Sequence, residues 1–475
     1  MNFPGHRRWT STMLAAIAGF TVSLTSSIYT GGVEQIIAEF SVSNAVAQLG
    51  VSLFVLGYAL GPLFWAPLSE IYGRQTLFIS TFGLMTLFNA AAAGAQSITQ
   101  LLVFRALGGI FGSSPLTNTG GVIADQFSAK DRGLALGIFS FGPFMGPVLG
   151  PIISGFLGQR AGWRWNLWLA AIIGAAIWVL NIILVSETYA PVLLKRRAAL
   201  LTKKTGKVHV SYLEQVSQRR IGPTLKIALS RPWALLLFEP IVLIFSVYMA
   251  IIYATMYMFF ASYPLIFQEE RNWKPSTEGL AFIGIAIGMV LALTWMIFEN
   301  NWYNRRSKNA HDGCSAPEDR LPPCMLGALC VPVGLFLFAW TASPKSIHWS
   351  VCLIGSGFFG AGNGLLFIGS TNYLVDAYVI YAASCIAGSS VLRSVLGAIF
   401  PLFAVKMYRN LGINWASSIP AFLTLICTPF PFLLMKFGPA IRAKCVYATE
   451  AERIVQRLKE EHAAHFLPDE ESQKS

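Results

Sequence analysis

The chain is 475 residues long, 54% hydrophobic and only 12% charged, with a mean hydropathy of +0.56. Soluble domains carry about 25% charged residues, so the composition excludes a soluble protein of this size. The net charge of +12 comes from Lys and Arg gathered on one side of the apolar runs, the positive-inside bias, and so does not require a nucleic-acid partner.

Apolar runs near twenty residues, long enough for the bilayer core, predict twelve spans near 12–31, 46–66, 77–95, 101–124, 133–156, 165–185, 236–262, 278–298, 324–342, 350–374, 383–404 and 415–435. The first follows Arg7 and Arg8; its length and the lack of a small-residue cleavage site make it an anchor rather than a signal peptide. Its outer half carries Ser23, Thr25, Ser26, Ser27 and Tyr29, a polar stripe suited to helix contact or to a cavity wall. Span two runs through Gly61-Pro62 to Glu70, and Gly73 supplies the backbone freedom for a tight inner turn. There Glu70 and Arg74 stand where a carboxylate meets a helix N-terminus and a cation meets a neighbouring acid, unless both are ordinary boundary charges.

Span four carries Arg105 near its outer end and closes with Asp125. An arginine there either snorkels to the interface or faces a polar cavity. Span five contains Gly142-Pro143, Gly146-Pro147 and Gly150-Pro151 at a four-residue spacing. Such prolines break a helix in water. Among packed membrane helices the freed carbonyls find other donors and the glycines form a smooth stripe, so the run reads as a bent transmembrane helix rather than a loop.

Between 186 and 232 ten Lys or Arg residues follow one another, and pieces such as Val192–Lys204 predict short amphipathic helices on the inner leaflet. Beyond this boundary the pattern repeats. Setting Gly109 beside Gly360 brings Asp125 to Asp376, Gly137 meets Gly388, Gly146 meets Gly397, and Tyr72-Gly73-Arg74 echoes Tyr303-Asn304-Arg305. Parallel repeats of six spans suit alternating access about a midplane site. The expected fold is an all-α membrane protein with twelve transmembrane helices in two pseudo-symmetric six-helix bundles. A cytosolic tail (1–11), first bundle (12–185), basic cytosolic linker (186–232), second bundle (233–436) and cytosolic tail (437–475) follow in order. In the last, Thr449-Glu450-Ala451-Glu452 forms a capping box ahead of a short helix from Arg453 to His465.

All seven cysteines lie beyond residue 313, without the pattern of a disulfide framework. No metal-ligand spacing, nucleotide-binding loop or nucleophile motif is present, which argues against an enzyme, a metal, a cofactor or bound ATP. Energy would come from an ion gradient or from the substrate's own.

The motifs from Gly61 to Gln75, Leu101 to Gly109 and Gly137 to Gly155, with Trp163-Arg164-Trp165, Glu187 to Leu194, Asn372 to Tyr378 and Leu411 to Ala416, occur in order. Together they resemble the major facilitator superfamily and, within it, the fungal twelve-span drug:proton antiporters. Ile71 and Gln75 depart from the first motif's usual basic positions, and the inner N-terminal tail is shorter than usual, as if truncated. The resemblance implies a conformational latch in which Glu70 caps span eleven and Arg74 reaches Asp125, with Gly73 and Arg132 in the same inner turns. It also implies that the Gly-Pro helix seals the interface with span eight, where Gly284 and Gly288 offer a small-residue face.

The function expected is export of small amphipathic or toxic compounds by proton antiport, with substrate, protons and the lipid bilayer as partners and no nucleic acid. The protein is read as a monomer in the plasma membrane, a vacuolar or vesicular one being compatible with the same spans. Cavity and coupling candidates are Arg105, Asn118, Glu239, Tyr248, Tyr257, Asn363, Tyr373 and Arg393, with packing as the alternative role of each aromatic. Glu239 is the most buried acid for proton transfer, an interfacial position being its alternative, with Asp125, Asp376 and Glu34 behind it. A polyamine or other organic-cation transporter, which would want several acids facing the cavity, and a transport-inactive sensor are the alternatives.

Overall fold

The computed structural model describes residues 4–127, 129–210, 221–309, 316–343, 346–454 and 456, with helix, turn and coil but no strand among them. In the first half α1 (Gly5–Ser27) leads through a short outer helix, α2 (Val33–Phe40), to α3 (Asn44–Tyr72), α4 (Arg74–Ala93), α5 (Ile98–Gln126), α6 (Ala129–Ala161) and α7 (Trp163–Leu184). A basic helix with no buried residue, α8 (Ala190–Thr205), leads to α9 (Ile221–Phe238) and α10 (Pro240–Tyr263). Then come α11 (Pro275–Gly279), α12 (Ile283–Asn309), α13 (Pro322–Ala342), α14 (Trp349–Tyr378), α15 (Ala382–Cys427) and α16 (Pro429–Arg442). The proposed tail helix from Arg453 to His465 falls almost wholly outside the described residues.

Ten stretches are long and apolar enough to cross a membrane. The longest, Ala382–Arg442, holds two crossings, because Gly412, inside α15 at φ 74° and ψ 164°, turns the chain. The helix left out is α5, whose Arg105, Ser113, Ser114, Thr117, Asn118, Thr119 and Asp125 dilute its hydropathy. Twelve crossings result, with the basic ends taken as inner.

The two halves repeat the same packing. In the first, α1 lies on α6, α3 on α5 and α4 on α7; in the second, α10 lies on α15, α12 on α14 and α13 on the part of α15 beyond Gly412. The halves meet along two seams, α3 against α15 and α6 against α12 with α11. Membrane helices gain little from the hydrophobic effect between them, so these seams depend on close van der Waals approach and interhelical hydrogen bonds.

The Gly-Pro run is continuous helix inside α6, with Pro143, Pro147 and Pro151 all internal. Its glycines do not face α12. A Cβ at Gly142 would stand 2.5 Å from the Ala16 carbonyl, and one at Gly146 would stand 2.5 Å from the Leu24 nitrogen, so the stripe is pressed against α1. Ser27 Oγ donates to the Gly146 carbonyl at 3.1 Å, a hydrogen bond across the α1–α6 contact. Gly284 and Gly288 likewise turn away from α6, toward Leu353 and toward Gly357 and Ala361 of α14. The expectation of matched small-residue faces is therefore corrected. The α6 seam instead uses Gly137, against Met296, and Gly155, against Pro275, while Gly279 of α11 meets Pro151. A four-residue stripe has one direction on a helix, and here the neighbour within its own bundle occupies it.

Candidate functional site

At the inner end of the first half, α3 and α4 are joined through Gly73 alone, whose φ of 97° suits glycine. Arg74 Nε donates to Asp125 Oδ2 at 2.6 Å, and its guanidinium lies 5.2 Å from the Tyr189 ring centroid. Glu70 is half-buried at the end of α3. A carboxylate on a helix N-terminus here is that of Glu187, which accepts from the backbone N–H groups of Arg74 at 3.0 Å and Gln75 at 3.3 Å, and from Thr188 and Tyr189 at 3.0 Å. It satisfies donors that α4 leaves free at its first turn. A side chain at Gly73 would collide with that carboxylate. The side chain of Arg132 lies outside the described residues.

The second half carries a related arrangement. Arg320 Nε donates to Asp376 Oδ2 at 3.1 Å, and Arg442 Nε stands 3.3 Å from Glu318 Oε1. The side chain of Arg305, which the sequence pairing sets beside Arg74, lies outside the described residues.

Toward the middle of the membrane, Arg105 is 0% exposed and does not snorkel. Its Nε donates to Gly50 O at 2.9 Å, Nη1 to Thr25 O at 2.8 Å and Nη2 to Ser26 O at 3.1 Å, while the Phe54 and Tyr29 rings lie 4.3 and 5.0 Å from its Cζ. One guanidinium ties α1, α3 and α5 together. Between the halves, Ser26 Oγ and Tyr257 OH share a hydrogen bond of 2.9 Å, and Tyr253 OH donates to Tyr257 OH at 3.3 Å. Phe144 of α6 meets Phe367 at a centroid distance of 4.4 Å and Tyr253 at 6.5 Å. Arg393 lies against those same rings, 5.1 Å from Tyr253 and 5.2 Å from Phe367.

Other sequence candidates are buried within one half or the other. Asn118 donates to Ser114 Oγ at 3.1 Å, and Tyr248, Asn363 and Tyr373 bury polar atoms with no protein partner. Glu239 is fully buried but is not at the middle: it immediately precedes α10 at the inner end, where Tyr378 OH donates to Oε2 at 2.9 Å and the Tyr447 N–H to Oε1 at 2.8 Å. It ties α10 to α14 and to the segment after α16. At the outer end, a cavity of about 220 Å³ is bordered by Glu34, Gln35, Gln268, Glu269, Glu278 and Arg409. Glu278 is 9% exposed and accepts from Gln268 Nε2 at 3.3 Å. Neither Glu187 nor Glu278 stood out as an acid in the sequence; the sole signal for Glu187 was its place in a motif-like segment.

The family model described as Major Facilitator Superfamily matches residues 15–401. The chain belongs to the major facilitator superfamily. It is therefore a multi-pass membrane transporter and not an enzyme. Among its relatives, "Major facilitator superfamily multidrug transporter mdrA" of Aspergillus fumigatus is 52% identical over 98% of this chain and 76% of that protein. "MFS-type efflux pump MFS2" of Trichophyton rubrum is 51% identical over 99% and 79%. "Major facilitator-type transporter sorT" of Penicillium rubens is 46% identical over 100% and 91%. The solved structure of the proton:xylose symporter XylE is similar with a TM-score of 0.61, covering 92% of this chain and 96% of that one; at 16% identity the likeness speaks to the superfamily fold alone.

Proposed function

We propose that this transporter exports small amphipathic or toxic compounds across the plasma membrane, by alternating access of its two halves and in exchange for inward-moving protons. The observation that carries the reading is the seam at mid-membrane, where rings and a few polar groups from both halves converge in a chain about half identical to named efflux pumps. Apolar walls with few polar groups accept varied ligands. A polyamine would need carboxylates there. The charged groups that the seam and its neighbourhood offer are Arg393 and Arg105.

Uptake into inside-out vesicles tests the reading, using an amphipathic dye in neutral and cationic forms and radiolabelled spermidine, with and without an imposed proton gradient. Dye accumulation that collapses with the gradient is the expected result. Spermidine moving alone would replace the reading with the polyamine one, and no movement of any probe would turn it toward a sensor.

In the same proposal Arg74 and Asp125 hold the inner end closed while the outer end opens. Asp125→Asn removes the charge from a 2.6 Å pair and is expected to raise inner-side labelling of the central helices and slow transport several-fold. Equal labelling of mutant and wild type would remove the latch role.

For the proton, Glu278 and Glu34 at the outer cavity are the better-placed carboxylates, since Glu239 is committed to two donors at the inner end. The expected result is that Glu278→Gln flattens the pH dependence of export while Glu239→Gln keeps it and lowers thermal stability. The reverse pattern would return the coupling role to Glu239.

A further inference from the structure

Two arginines lie deep in the membrane-spanning region, and their surroundings differ. Arg105 spends all three of its nitrogens on carbonyl oxygens. Arg393 has one hydrogen bond, from Nη2 to Ser390 Oγ at 3.3 Å, and its Nε is buried without a partner. Among the described residues no carboxylate pairs with it. It sits eleven residues beyond the start of α15 at Ala382, roughly 17 Å from the inner end at 1.5 Å per residue, near the middle of a hydrocarbon core about 30 Å thick.

A guanidinium held there without an anion is costly and marks a site rather than a packing accident. It borders a small cavity with Phe245, Met249, Phe367, Ser370 and Ser390. The unpartnered Nε and the weakly engaged Nη2 form the side of the guanidinium fork that a carboxylate takes with two parallel hydrogen bonds. Tyr253 and Phe367 flank the cation, and Phe144, from the other half, covers both rings. An apolar or aromatic body attached to the carboxylate would lie among these rings, at the seam.

We propose that Arg393 is the anion subsite of the transport cavity and that the favoured substrates are amphipathic monoanions, chiefly aromatic or aliphatic carboxylic acids, rather than lipophilic cations. The binding of such acids can be read by itself; only the direction of their movement rests on the export reading above. A cation in the same place would face an uncompensated guanidinium, whereas a carboxylate would complete it. Hydrogen bonds to a charged group are worth about 1.5–3 kcal/mol, so the acid is expected to bind roughly ten- to a hundred-fold more tightly than its uncharged amide.

The test is equilibrium binding of radiolabelled 2-naphthoate at pH 7 to the purified full chain, with 2-naphthamide and 2-(aminomethyl)naphthalene as competitors. In wild type both competitors are expected to displace the acid at least tenfold less well than unlabelled naphthoate does. Arg393→Gln is expected to erase the preference for the acid over the amide, and Arg393→Lys to restore part of it. Should the glutamine variant fail to fold, Arg393→Met keeps the stem between the rings and gives the same reading.

Equal displacement by acid and amide in wild type, or a preference that survives in Arg393→Gln or Arg393→Met, would overturn the proposal. The two readings separate cleanly. Gradient-driven dye export without acid preference sinks this inference and leaves export standing, whereas Arg393-dependent acid binding without flux does the opposite.

Discussion

Gly146→Leu is expected to lower transport below about a tenth of wild type and to reduce the melting temperature of the purified protein. The side chain would point into α1, where a Cβ alone would stand 2.5 Å from the Leu24 nitrogen and 2.7 Å from the Ser23 carbonyl carbon. Backbone cannot swing aside as the end of a flexible side chain can. Overpacking in a close-fitted interior costs about 1–3 kcal/mol, and an obstacle made of main chain belongs at the upper end. Separating α1 from α6 would also stretch the 3.1 Å bond from Ser27 Oγ to the Gly146 carbonyl. Gly120→Ala is the control, since nothing lies within 4 Å of a Cβ there. Transport and melting are measured together, and a Gly146→Leu protein with wild-type values for both would show that the α1–α6 contact is not as close as described.

Arg105→Met is expected to be the second severe change. The methionine fills part of the space between Phe54 and Tyr29 but donates no hydrogen bond, leaving the carbonyls of Gly50, Thr25 and Ser26 without this partner in a water-poor interior. Each buried group left unsatisfied costs about 1–3 kcal/mol. The loss acts on three helices at once, so folded yield and transport are expected to fall together. Arg105→Lys keeps the charge but lacks the planar fork, and should recover only part of either. Transport lost in Arg105→Met at unchanged thermal stability would instead place Arg105 in contact with substrate. The contrast with Arg393 is direct: one arginine is consumed by the fold, the other is left with a donor to offer.

Much of the architecture could be read from local pattern. Runs of apolar residues near twenty long predict the crossings because bilayer thickness and helix rise fix that length. The structure divides the last long helical stretch at Gly412, between the predicted spans 383–404 and 415–435. The Gly-Pro run was legible as helix because no loop in hydrocarbon could leave so many backbone groups unpaired, and α6 is continuous through it. Start positions were less legible. Glu239 read either as interior to a span or as interfacial, and Pro240 begins a new helix that leaves Glu239 just outside it.

Partners were the harder part, for a physical reason. A sequence states which residues are costly to bury and how often they recur, and from this the membrane class, the number of spans and the internal repeat could be read. It does not state which group from a distant stretch will meet a given side chain. Glu187 reaches Arg74 across 113 residues, and Arg320 reaches Asp376 across 56. The direction of the Gly142–Gly146–Gly150 stripe, toward α1 and not α12, depends on how helix α6 is rotated about its own axis, a choice settled by all of its neighbours together. The two membrane arginines were equal as letters. Tertiary structure alone distinguished them, by giving Arg105 three helix carbonyls and giving Arg393 two ring faces, a serine and a cavity.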